Sequence, residues 1–152
     1  MIKPLDNGGQ FTNVISYPPN DDSHQSPWMI YAIYLTHAPW SGTGQLHTRI
    51  SGSAHYSVEN VYEFGVWNHL VISFHNQAVK YYRDGVLKDT DTNSAATISY
   101  SGYENQNVMI GVNPNGTEDF EGEYSNIKLY NRALTDAEVA QNFEAIRGRF
   151  GL

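Results

Sequence analysis

The sequence predicts an all-β fold of antiparallel strands with one helix at its C-terminal end. Three observations carry this. The stretch Trp67–Thr90 (WNHLVISFHNQAVKYYRDGVLKDT) reads as three strands joined by two tight turns. The composition holds eleven Tyr and thirteen Gly. A helical pattern occurs only after Leu134.

Within Trp67–Thr90, Leu70, Ile72 and Phe74 alternate onto one face, and Trp67, His69 and Val71 onto the other. Apolar residues on both faces mark a strand in the middle of a sheet. His75-Asn76-Gln77 is a polar turn. The return strand, residues 78–83, places Val79 and Tyr81 opposite Lys80 and Tyr82. Asp84-Gly85 suits a two-residue type I′ hairpin, in which both central residues need positive φ, and Val86-Leu87-Lys88 follows as a third strand.

Ahead of this meander, residues 1–10 read as irregular, Phe11–Tyr17 as a strand closed by Pro18-Pro19, and Trp28–Thr36 as a strong aromatic strand. Residues 38–44 form a loop around Trp40. Gln45–Ser51 and Ser53–Val58 make a candidate pair across Gly52. After it, residues 97–100 are a weak strand, 107–112 a buried strand, and 120–130 a long strand with Ile127 and Leu129 facing inward. Thr135-Asp136-Ala137-Glu138 is a capping box, with Leu134 and Val139 placed as a hydrophobic staple. Val139, Phe143 and Ile146 complete the apolar stripe. There is no repeat, linker or low-complexity tract, so residues 1–152 are expected to form a single domain.

Composition narrows the function. Nine Lys and Arg against sixteen Asp and Glu give a net charge of −7 without a basic cluster, which argues against a nucleic-acid or anionic-lipid partner. No run of eighteen apolar residues is present, so no membrane insertion is expected, and Met1-Ile2-Lys3-Pro4 has no apolar signal-like region. The absence of cysteine removes disulfides, thiolate metal sites and cysteine nucleophiles.

A set of short motifs then falls in a fixed order: Trp67-Asn68-His69-Leu70-Val71, Tyr82-Arg83-Asp84-Gly85, Ile110-Gly111-Val112, Phe120-Glu121-Gly122, and Tyr130-Asn131-Arg132-Ala133-Leu134-Thr135. In this order they resemble the laminin-G-like, concanavalin A-like lectin/glucanase superfamily. The resemblance runs from Trp67 to Ile146. It implies a two-sheet antiparallel jelly-roll sandwich with one short C-terminal helix. Gln141-Asn142-Phe143 and residues 147–152 resemble, less specifically, the ends of such domains in structural proteins of tailed bacteriophages, which implies a virion or other extracellular location. The family usually opens with an F-D-G strand and a second aromatic strand, whereas ten residues precede Phe11 here. The fold is therefore expected to lack N-terminal strands, and either another chain (a homo-oligomer or a completing partner) covers the open edge or the chain is a fragment of a longer product.

Three chemistries compete. Glycosidases of this fold set carboxylates on alternate residues of one strand, and retaining chemistry needs them about 5–5.5 Å apart. Asp119, Glu121 and Glu123 alternate, but they fall where the family has a turn, and no E-x-D-x-(x)-E pattern exists elsewhere. The expectation is therefore no catalytic residue, with glycoside hydrolase or lyase as the alternative. His69 is expected to be packed and hydrogen-bonded rather than a base.

Calcium needs several oxygen ligands on loops. Asp89, Asp91, Asn113 and Asp119 are the metal candidates, with Asp21, Asp22, Asn115 and Glu118 as further rim groups; the competing reading is turn formation and solubility. Residues 89–93 mimic the start of an EF-hand loop, but Ser94 stands where that loop needs Gly and Tyr100 where it needs Glu. Laminin-G-like domains often hold one calcium at a loop rim, by resemblance.

Sugar binding needs exposed aromatic faces beside hydrogen-bonding groups. Trp40, Tyr17 and Tyr103 flank loops, and Asn105 and Gln106 supply polar contacts; the competing reading makes Trp40 a plug at the end of the sandwich. Trp28 and Trp67 are expected in the core. Asn115-Gly116-Thr117 is a sequon that matters only in a secretory setting. The sequence thus reads as a non-catalytic module that binds a glycan or a protein on a surface, with a ligand-free structural subunit as a third possibility.

Overall fold

A computed structural model describes residues 1–6, 11–17, 31–36, 44–50, 53–56, 60–92, 107–112 and 119–152. Its strands, in chain order, are β1 (Ile2–Pro4), β2 (Phe11–Tyr17), β3 (Tyr31–Thr36), β4 (Leu46–Ile50), β5 (Ser53–Tyr56), β6 (Leu70–His75), β7 (Ala78–Arg83), β8 (Val86–Asp91), β9 (Met109–Ile110) and β10 (Gly122–Tyr124). One helix, α1 (Asp136–Glu144), and a single 3₁₀ turn at Arg147–Arg149 follow.

The first sheet has the order β5-β4-β3-β2-β9. The meander β6-β7-β8 and the pair β1-β10 make up the opposing layer. Ile2 joins these two pieces. Its N–H donates to the Asn68 carbonyl at 3.0 Å, and the Asn68 N–H donates back at 2.8 Å. The second layer therefore runs β10-β1-β6-β7-β8. All the pairings described are antiparallel, and the architecture is the two-sheet sandwich with a C-terminal helix that the motif order implies.

Both meander turns fall where expected, and Asp84-Gly85 is of the expected type. Asn76 and Gln77 have φ of 48° and 64°, Asp84 and Gly85 have 51° and 79°, and all four values suit type I′. The Asp84 carboxylate braces its hairpin by accepting from the His69 backbone N–H at 2.9 Å and from Arg83 Nε at 3.2 Å.

The core lies between the layers, with Leu35, Leu46 and Ile50 of the first sheet against Val79 and Tyr81 of the second, and with Val61, Tyr62 and Ile2 beside them. A 2.8 Å hydroxyl contact between Thr48 and Tyr81 crosses the interior, which satisfies two polar groups that would otherwise be costly to bury. On the outer face of the second layer α1 covers Tyr82 with Leu134 and Val139.

The capping box forms as the sequence predicts. Glu138 N–H donates to Thr135 Oγ1 at 3.2 Å, and Thr135 N–H donates to Glu138 Oε2 at 2.8 Å. Arg132 adds a two-pronged contact to Glu138 at 2.6 and 2.9 Å. Together these bonds hold the Glu138 carboxyl down at about 2. Asp136 ties the helix to β7 by accepting from Tyr82 at 2.8 Å and Lys80 at 3.1 Å.

Four sequence expectations are corrected. Residues 2–4 are not irregular, because Ile2–Pro4 form β1 between β10 and Asn68. Residues 107–112 yield only the two-residue edge strand β9, and Ile110 is exposed because it lies at the margin of the sheet. The long strand expected over 120–130 shortens to Gly122–Tyr124. Ile127 and Leu129 are 39% and 62% exposed rather than inward, since alternation alone makes no strand and no described residue offers this stretch a ladder. β8, by contrast, is longer than expected and takes Asp89–Asp91 into the sheet by pairing with β7.

Two side chains set how firmly this frame holds. Asn68 is fully buried. Its Oδ1 accepts from Glu63 N–H at 3.0 Å, and its Nδ2 donates to the carbonyls of Glu63 and Val66 at 2.9 and 2.8 Å. Asn68→Ala is expected to cost about 2–4 kcal/mol, from lost bonds and unpaired backbone groups. Denaturant unfolding checks this, and a change below about 0.5 kcal/mol would remove Asn68 from that role.

The His69 ring is buried, stacks on Phe143 at 5.7 Å, and leaves Nδ1 without a hydrogen-bond partner. The expectation for His69 thus holds for packing but not for a bond at Nδ1. Burial pulls its pKa down to about 4, helped by the Met1 ammonium and Lys128 and opposed by Asp84. In the unfolded chain it titrates near 6.5. Between these values the unfolded state holds the extra proton, so stability falls as pH drops from about 6.5 to 4. The loss is at most about 3 kcal/mol. Stability measured against pH should show this slope, and His69→Gln should flatten it.

Candidate functional site

The sandwich is drawn together along one side by a bulge. The β2–β3 register shifts between Asn13 and Ile15, leaving Val14 as the extra residue. The Val14 carbonyl accepts from Gly111 N–H at 3.1 Å and from the Tyr124 hydroxyl at 3.0 Å. Phe120 packs on Tyr124 with ring centroids 4.3 Å apart, and its N–H donates to the Gly111 carbonyl at 2.9 Å. This cluster fixes the rim that carries Asp119, Glu121 and Glu123.

Those three carboxylates lie at the surface, and among the described residues they gather into no cluster of three. Asp119 and Glu121 are exposed, and Glu123 pairs with Lys3 at 3.1 Å. Gly122 has φ +144°, and a Cβ there would meet the Lys3 carbonyl. Glycine is required because β1 passes against the backbone at this point.

The metal candidates are dispersed by topology. Asp89 and Asp91 alternate on β8, opposite Tyr81 and Val79, and so share the inward face. They are half-buried, and their charges add to the effect of burial in raising the Tyr81 hydroxyl pKa, against the Thr48 bond. Asp119 precedes β10, at the opposite margin of the layer. Four strand spacings separate β8 from β10, about 19 Å. Asn113 lies outside the described residues, as do Asp21, Asp22, Asn115 and Glu118. Among the described residues no group of three or more His, Cys, Asp or Glu side chains gathers, and two carboxylates on a strand fall short of the six or more oxygens calcium takes. The described part of the chain therefore does not by itself make a calcium site.

Of the aromatic candidates, Trp40 and Tyr103 lie outside the described residues, with Asn105, Gln106 and Trp28. Tyr17 is placed differently from the expectation. It ends β2 two residues after Ile15, so its ring turns to the interior and is only 9% exposed. It lines a cavity and offers no platform at the surface. Trp67 is half-buried and packs on Phe150 at 4.9 Å, joining the C-terminal turn to the meander.

The feature that residue-type reasoning missed is this cavity, about 870 Å³, which opens through the second layer onto the inner face of the first. Ile15, Ile33 and Ile50 line it from the first sheet, and Leu70, Ile72 and Phe74 from β6. The signal for it is the inward triplet on β6 beside the exposed Ile127 and Leu129. Among the described residues, no helix is long and apolar enough to cross a membrane.

Comparison with known proteins agrees with the architecture. A 79-residue stretch, 51% of this chain, is 34% identical to human usherin, of which it covers only 2%. Among solved structures, the chain is similar to the CBM40 of Ruminococcus gnavus IT-sialidase (TM-score 0.70, 16% identity, 94% of this chain and 79% of that one). The complex of that CBM40 with alpha2,3 sialyllactose gives a TM-score of 0.67 at 17% identity, over 93% of this chain and 78% of that one. A heptameric SAP-like pentraxin from Limulus polyphemus is also similar (TM-score 0.68, 19% identity), with 93% of this chain matched to 66% of that one. At these identities the structures share the fold. The family model for the concanavalin A-like lectin/glucanases superfamily matches residues 2–140, and the chain belongs to that family.

Proposed function

We propose that this domain is a non-catalytic recognition module that binds a glycan through loops at the sandwich rim, on the outside of a virion or a cell. The supporting observation is the sandwich itself, shared over 93% of the chain with a CBM40 that holds sialyllactose. Fold alone does not assign a ligand. The described carboxylates favour binding over hydrolysis, because Glu123 is paired with Lys3 and so is not a free acid or nucleophile beside Glu121, as glycoside cleavage would need. The −7 charge points to neutral or cationic ligands, or to acidic glycans met at a locally neutral loop.

A second reading has one observation behind it. Ile127, Leu129 and Tyr130 are exposed together, as expected of a subunit that docks in an assembly.

A glycan array that includes sialyllactose, run with calcium and with chelator, tests the proposal. Binding should appear on at least one glycan and weaken at least about tenfold, roughly 1.4 kcal/mol, on Trp40→Ala. The chelator arm reports whether calcium shapes the site. Silence in both arms would replace the proposal with the structural subunit. Glycan cleavage that is lost on Glu121→Gln would replace it with an enzyme.

A further inference from the structure

The helix α1 is a cover with few ties of its own. Its apolar contacts, Leu134 and Val139 on Tyr82 with Val71 beside them, form a cluster apart from the main core. Of its nine residues only Val139 is fully buried. A helix this short is marginal in water by itself. The other ties to the meander are the Asp136 bonds to Tyr82 and Lys80 and the stack of Phe143 on His69, 5.7 Å between centroids and 27° between planes. A segment with few buried apolar contacts lies at the low-stability end of a fold and can open without the rest.

His69 sits under this cover in a setting that suits only its neutral form. The residue is 7% exposed, and its Nδ1 is shut off from solvent with no hydrogen-bond partner. A neutral imidazole can leave one nitrogen as a bare acceptor. An imidazolium carries an N–H on both, so charging this ring would bury an unpaired donor together with a charge.

The surrounding groups do not relieve that cost. β1 contributes the Met1 amino group and residues 125–130 contribute Lys128, both of which oppose a positive ring. The β7–β8 hairpin contributes one carboxylate, Asp84, whose oxygens already accept from the His69 N–H and from Arg83 Nε. α1 brings Phe143, and its acids are engaged elsewhere: Asp136 with Tyr82 and Lys80, Glu138 with Arg132 and Thr135, and Glu144 with Arg147. Burial is the largest of these effects, ahead of the Met1 ammonium.

We propose that His69 is an acid trigger for α1: as pH falls below neutral, protonation of the imidazole releases the helix from the outer face of β6 and β7 while the sandwich core stays folded. Release bares Tyr82 and Val71 on the meander. This goes beyond glycan recognition at the rim and is independent of it.

With α1 docked the imidazole titrates at about 4, and a freed imidazole titrates near 6.5. The released state therefore takes up the proton between these values and gains on the docked state as pH falls. From pH 7.5 to 5 the opening equilibrium rises by up to about 30-fold. The Asp136 and Glu138 carboxyls contribute little over that window, because their free values lie near 4 and docking lowers them further.

Native-state hydrogen exchange on the whole chain, corrected for intrinsic rates and followed through low denaturant, tests this. At pH 7.5 the α1 amides should open at least about tenfold more readily than those of β3 and β4 in the middle of the first sheet, and with weaker denaturant dependence. Their opening should rise about 30-fold at pH 5, and His69→Gln should hold it at its pH 7.5 value. A second measurement keeps the imidazole. Phe143→Ala should move the His69 titration, read by NMR, from about 4 toward 6.5, because the coupling between helix and proton is reciprocal. Four results would overturn the proposal: α1 and sheet amides that open together with equal denaturant dependence, an α1 opening that ignores pH, a pH effect that survives His69→Gln, or a His69 titration that Phe143→Ala leaves unmoved.

Discussion

The reciprocal hydrogen bonds between Ile2 and Asn68 are the joint on which the rest of the structure depends. Without them β1-β10 and β6-β7-β8 are two small sheets, and a two-stranded sheet three residues long has little stability of its own. With them the pieces share one layer that can cover the first sheet. Asn68 serves both directions at once. Its backbone holds β1, and its side chain holds the turn from Glu63 to Val66, which leaves a buried amide with its hydrogen bonds made. A buried polar group is tolerable on those terms and costly on any other. Position 68 is thus specified far more tightly than an apolar core position, where volume alone would do.

From this joint the outer face of the second layer follows. The Asp84-Gly85 hairpin turns β7 back into β8, and α1 lies over it. A Cβ on Gly85 would come within 3.2 Å of Phe143, so the positive φ of the turn and the approach of the helix call for the same residue. Asp84, Asp136 and Glu138 are acidic residues spent on the frame, bonding respectively to the His69 backbone, to Tyr82 and Lys80, and to Arg132 and the helix cap. An acidic composition is therefore a poor guide to metal or catalytic sites in this chain. Several of its carboxylates are held by turns and caps, and Asp89 and Asp91 lie within a strand.

Much of the fold was legible in the sequence, and for local reasons. The meander announced itself by alternation and by two turn dipeptides, and the helix by Thr135, Glu138 and the Leu134–Val139 staple, all of which act within a few residues of one another. What was not legible depends on partners far along the chain. Ile2–Pro4 carries no strand signal and becomes β1 because residues 68 and 122–124 offer it two ladders. Residues 125–130 carry a good alternating signal and fail to form a strand because, among the described residues, only Met1 bonds to their backbone, at Ser125 and Asn126. Tyr17 was expected at the end of its strand flanking a loop, and it turns inward because it lies two residues after Ile15 on the inner face of β2. For the candidate site, residue types could be read without their neighbours. That reading grouped Asp89, Asp91 and Asp119, which the strand order β10-β1-β6-β7-β8 sets on opposite margins.

The same strand order leaves an apolar groove beside β6, lined by Ile15, Ile33 and Ile50. A glycan presents hydroxyls in every direction, and burying them against Ile15, Ile33 and Ile50 would leave most of them without partners at a cost of order 1–3 kcal/mol each. The groove is therefore a poor glycan site whatever its size. The outer face of the meander is already taken by α1.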